Sequence, residues 1–73
     1  MELLRELRAR RMHTIRSLSA AAGVAQKTIV DAEAGRIVPQ FGTMRKIAAA
    51  LGVEAIDVVE FVAAIEARGK AAA

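Results

Sequence analysis

Gln26, Lys27 and Thr28 set an amide, an ammonium and a hydroxyl side by side, shortly after the small-residue run Ala20-Ala21-Ala22-Gly23. The stretch from Thr14 to Pro39 reads as two short helices around a glycine turn. Small residues end the first helix, Gly23 opens the turn, and the second helix begins with the polar triplet facing outward. That is the geometry of a helix-turn-helix whose exposed tips probe nucleobases. Catalysis has little to work with. His13 is the only histidine, cysteine is absent, and no carboxylate pair falls in an acid–base or metal spacing. Gly23, Gly35, Gly42, Gly52 and Gly69 are dispersed at helix ends and loops rather than gathered in a phosphate-binding loop. An enzyme is not expected, and no cofactor or metal is implied; His13 reads as a cap at the end of the first helix.

The elements that position the triplet are all helical. Alanine, leucine, arginine and glutamate dominate, one proline appears, and the β-branched residues recur at helical rather than alternating spacing. Five helices and no sheet are expected. The first spans about 2–11 with Leu3, Leu4 and Leu7 inward, and Thr14 caps a second in which Ile15, Leu18 and Ala22 share a face up to Gly23. Ala25 opens the third helix, 26–34, without a side-chain oxygen to satisfy its first amides, which leaves them for a phosphate. This helix buries Ile29, with Ala32 and Glu33 as further candidates, and Gly35 closes it. Pro39 leads into a fourth helix, 41–51, with Phe41, Met44, Ile47, Ala48 and Leu51 as a buried stripe ending at Gly52.

A fifth helix is expected over 54–68, followed by a frayed tail at 69–73. It is apolar on two stripes. Ile56, Val59 and Ala63 form one, and Val58, Phe61, Val62 and Ile65 form the neighbouring one, which is assigned to a dimer seam. Coverage of both stripes inside one domain is the alternative. With 73 residues the chain makes one small domain, 1–68, whose low buried fraction favours association with a second copy. No apolar run is long enough to span a bilayer, and the N-terminus lacks a secretory signal, so a cytoplasmic location is expected. The net charge is +3, and residues 1–36 carry all of it, with seven basic groups against four acidic ones; residues 37–73 hold four of each. A basic half beside a neutral half suits a polyanion.

Taken together, Leu7-Arg8, Thr14, Leu18, Ala22-Gly23-Val24, Thr28-Ile29, Glu33-Ala34-Gly35-Arg36, Pro39, Thr43 and Ile47–Val53 stand in an order that resembles the Cro/repressor-type (Xre-like) helix-turn-helix domain. The resemblance covers residues 4–58 and implies an all-α, five-helix, lambda-repressor-like DNA-binding fold. The family commonly has Gln after the position of Thr14 and Ser or Thr at position 25, where this chain has Ile15 and Ala25.

By the family's docking mode the third helix lies in the major groove and the second crosses the backbone. Gln26 would then pair with adenine N6 and N7, Lys27 would donate to guanine, and the Thr28 methyl would meet a thymine methyl. Asp31 would accept from cytosine N4 or pair with Lys27 four residues earlier, the slightly favoured choice. Val30 is either a methyl contact in the groove or a residue packed on another helix. Arg10, Arg11, Arg16 and Arg36 are candidate phosphate clamps, with solvated surface arginines as the alternative. The resemblance also implies that Glu33 is buried in an ion pair with Arg8, tying the third helix to the first, with a surface carboxylate as the alternative. The leading expectation is a homodimeric transcriptional regulator on a palindromic double-stranded operator. An antitoxin or adaptor that binds another protein through the fifth helix is the runner-up.

Overall fold

The computed structural model describes residues 2–72, and the side chains of 2–69; Met1 and Ala73, placed above in the domain and in the tail, lie outside the described residues. Five α-helices follow one another: α1 Leu4–Arg10, α2 Ile15–Ala22, α3 Gln26–Glu33, α4 Phe41–Leu51 and α5 Val59–Ala72. A 3₁₀ turn, Ala55–Asp57, precedes α5. No strand occurs among the described residues; the sole sheet-like contact is an isolated parallel bridge between Glu2 and Val58.

Helix boundaries follow local chemistry. The Thr14 hydroxyl accepts from the Ser17 amide at 3.0 Å while the Ser17 hydroxyl accepts from the Thr14 amide at 2.9 Å, so α2 starts with reciprocal caps. Such a cap contributes on the order of 1 kcal/mol. Gly23 and Gly52 close α2 and α4 at φ 69° and 70°, a region where a Cβ is unfavourable. Met12 takes the same backbone region, φ 59°, without being glycine, and lets the chain leave α1 and enter α2 within four residues.

The core joins one face of every helix. Leu4, Leu18, Ile29, Ile47, Val58 and Phe61 are each fully buried. Burying a side chain of this size contributes roughly 1.5–3 kcal/mol, which is how helices too short to persist alone become stable together. Two expected core residues are outside it: Leu3, at the position before α1, is 39% exposed, and Phe41, at the first position of α4, is 49% exposed. Each stands at a helix end, one turn beyond the buried stripe that its spacing extends.

The fifth helix departs most from expectation. It begins at Val59 rather than near Glu54, because Asp57 turns back to accept from the Glu54 amide at 3.2 Å and Val58 is extended. That extended residue pairs with the N-terminal segment: the Glu2 amide donates to Asp57 at 2.9 Å and the Val59 amide donates to Glu2 at 2.9 Å. Glu60 then caps α1 from a distance, accepting from the Leu4 amide at 2.8 Å. At its far end the helix runs on through residues 69–72, read above as tail, and Arg68 donates to the carbonyls of Val38 and Pro39. Helix α5 is thereby fixed to both α1 and the α3–α4 connection.

These contacts reverse the two stripes. Val58 and Phe61 are fully buried in the chain's own core, Ile65 packs against that core, and Val62 is half-buried. Two of the four seam residues, Val58 and Phe61, are therefore interior, and Val62 and Ile65 are only partly open. Ile56, Val59 and Ala63 face outward instead.

Candidate nucleic-acid interface

Helix α3 leaves its first amides without a side-chain cap, since Ala25 supplies none. Ile29 and Ala32 anchor it to the core, and at 100° per residue this turns Gln26, Lys27, Val30 and Ala34 outward. Thr28 and Asp31 are half-buried along one edge of that face. The triplet thus opens a helix that is free on one side and rigidly packed on the other.

Lys27 and Asp31 meet at 2.9 Å, so the intramolecular pairing is present. A second cation shares the carboxylate. Arg36 Nε donates to Asp31 Oδ1 at 2.9 Å while Lys27 Nζ donates to Oδ2. Gly35, at φ 73°, makes this possible by folding the chain back, and the Arg36 amide closes on the Asp31 carbonyl at 2.9 Å. Hydrogen bonds from Lys27 and then Arg36 hold the Asp31 carboxyl below its ordinary value of 3.8. A carboxylate engaged at both oxygens offers little to a cytosine.

The four arginines proposed as phosphate clamps divide. Arg16 is exposed on the first turn of α2 with no ion-pair partner among the described residues. Arg36 spends only Nε on Asp31, leaving its terminal nitrogens to donate elsewhere. Arg10 is paired with Glu2 at 2.8 Å, though 71% of its side chain stays exposed. The Arg11 guanidinium lies about 4.0 Å from where a Cβ on Gly52 would stand, over the C-terminal end of α4, whose carbonyls favour a cation.

Behind the face, Arg8 Nε donates to Glu33 Oε2 at 2.6 Å and Nη2 to Oε1 at 3.2 Å. A third bond, Nη1 to the His13 carbonyl at 3.1 Å, ties both helices to the α1–α2 junction. The backbone amide of His13 closes α1 on Arg8, whereas its ring turns to Ser17 at 2.8 Å and so serves the start of α2. Val30 lines an open cleft with Arg5, Arg8 and Ile15 and remains 41% exposed, which places it between its two expected settings. Arg5 was not singled out from sequence; its signal was the three-residue spacing to Arg8, which puts both on one side of α1. No group of three possible metal ligands occurs among the described residues, and no described helix is long and apolar enough to cross a membrane.

Paired short helices around Gly23, the second packed on its apolar side and polar on its free side, define a DNA-binding helix-turn-helix domain. The Helix-turn-helix family model matches residues 4–58, and the chain belongs to that Cro/Xre-like family of DNA-binding regulators. No curated protein and no solved structure gave a match.

Proposed function

We propose that the chain is a sequence-specific transcriptional regulator that binds double-stranded DNA as a homodimer. The observation that carries this reading is the uncapped, outward start of α3, where Gln26 and Lys27 are exposed on a helix fixed by Ile29 and Ala32. In the major groove these side chains and Thr28 address base edges, with Val30 at the groove wall. Arg16 and Arg36, with the exposed Arg10, hold phosphates and set the register. Each bidentate base pairing discriminates by roughly 1–3 kcal/mol.

The dimer seam moves with the correction to α5. Val59, Ile37 and Val38 are 38%, 38% and 49% exposed and, with Ala63 and Ala67, line one apolar cleft. Covering this surface with a second copy gives a two-fold protein and half-sites roughly 34 Å apart. Val59→Asp tests the seam without attacking the fold, because an acid at the first position of a helix is favourable. Sedimentation should show a dimer for the wild type and a monomer for the variant; unchanged mass rejects this seam.

Selection of bound duplexes from a random pool tests recognition itself. A palindromic consensus, bound with an affinity that falls steeply as salt rises, is the expected result. Recovery of no consensus, or copurification with a different protein and no DNA affinity, would favour the adaptor reading.

A further inference from the structure

Along the edge of α3's free face, the odd residue is an acid. A carboxylate on a surface meant for phosphates lowers the long-range attraction by one charge, yet Asp31 sits between two of the cations that this surface offers. We infer that Asp31 is a positioning residue for DNA recognition: it presets the directions of Lys27 and Arg36 and restrains both from binding phosphates indiscriminately. The inference rests on the DNA-binding reading above.

Three features carry it. The carboxylate uses one oxygen for each cation, Oδ2 for Lys27 and Oδ1 for Arg36, so neither displaces the other. Donor capacity survives on both: Lys27 keeps two of its three N–H groups, and Arg36 keeps its terminal nitrogens. Geometry is imposed from the backbone as well, because the Gly35 turn and the bond from the Arg36 amide to the Asp31 carbonyl bring Arg36 back over α3. The acid is 13% exposed while the two cations are 85% and 59% exposed, so the acid is covered by its partners and the partners face solvent.

Long basic side chains free to swing reach phosphates on any sequence. Held in one direction, they lose that latitude and keep only the contacts that a matching duplex offers. The lowered proton affinity of the carboxyl agrees with a group ionised whenever the protein meets DNA.

The test compares wild type, Asp31→Asn and Glu54→Gln, the last removing the same charge from the α4–α5 connection. Each binds two probes across a salt series: the duplex that the wild type selects and a random-sequence duplex. Asp31→Asn should bind random duplex more tightly, with a salt slope steeper by about one phosphate contact. Its preference for the selected duplex should fall by roughly tenfold, the scale of one base contact. Glu54→Gln should leave the preference unchanged.

Three results overturn the inference: a preference unchanged in Asp31→Asn, equal loss on both probes with a lowered melting midpoint, or discrimination lost only at a cytosine, which would make Asp31 a direct reader. A wild-type chain that binds neither probe instead ends the DNA-binding reading, and with it this one. That outcome is visible before any variant is measured.

Discussion

Asp31 and Glu33 stand two residues apart on α3, so the helical repeat turns them about 200° from one another. Their own exposures are nearly equal, 13% and 11%, and both accept from guanidinium groups. What separates them is the partner. Arg8 is 17% exposed and bonded to Glu33 by two nitrogens and to His13 by a third, whereas Lys27 and Arg36 are 85% and 59% exposed. An acid with a sheltered partner joins pieces of the fold; an acid with exposed partners arranges the surface. Exposure of the carboxylate alone would not have distinguished these roles.

The sharpest attack on this contrast is to remove each acid in turn. Glu33→Ala strands the sheltered Arg8 charge and should cost about 3 kcal/mol, the low end for a stripped buried pair because water still reaches its edge. For a domain of this size the melting midpoint should drop by more than about 10 °C. Asp31→Ala leaves two cations that water solvates, and its midpoint should move by less than about 5 °C. Equal shifts in thermal melting would erase the distinction.

DNA binding should reverse the order. Lys27→Ala removes a donor from the free face and should lower discrimination by roughly 1–3 kcal/mol in competition binding, with the melting midpoint held. If Lys27→Ala binds with unaltered preference, Lys27 is only a solvated cation, and the exposed pair has no part in reading sequence.

Much of this arrangement was legible in the chain. Thr14, Gly23, Gly35, Pro39 and Gly52 are punctuation with local causes, and they put α2, α3 and α4 within a residue or two of their observed limits. The outward start of α3 at Gln26 and Lys27 followed from the same spacing, whereas Thr28, expected beside them, is half-buried. Glu33 was paired with Arg8 only through family resemblance, since nothing local identifies a partner 25 positions away. Ser17 went unnoticed because a hydroxyl three residues after Thr14 is a weaker sign of a reciprocal cap than the usual Glu or Gln. The faces of α5 were hard to assign for a physical reason: the segment carries two neighbouring apolar stripes, Ile56, Val59 and Ala63 beside Val58, Phe61, Val62 and Ile65, so periodicity alone does not select the one that packs inward. The deciding contacts, Glu2 with Val58 and Val59, Glu60 with Leu4, and Arg68 with Val38 and Pro39, all join distant positions. Asp31 with Arg36 lay closer, but it depends on the chain reversal at Gly35, which helical spacing does not convey.

The smallest expected effect is in acid, and it isolates the charge on Asp31. Its carboxyl is held below the ordinary 3.8 by Lys27 and Arg36 in the folded chain, while the unfolded chain returns it to that value. The unfolded state therefore binds the proton more readily, and stability from this group is complete above about pH 5 and lost as pH falls through 4 toward the folded value. The melting difference between wild type and Asp31→Asn should accordingly stay constant from about pH 5 to 8 and shrink below about pH 4. Added salt should shrink it at neutral pH too, because the cations that cover the carboxylate are themselves open to solvent. A difference that ignored both acid and salt would mean that the shape of the Asp31 side chain, and not its ionisation, holds Lys27 and Arg36 in place.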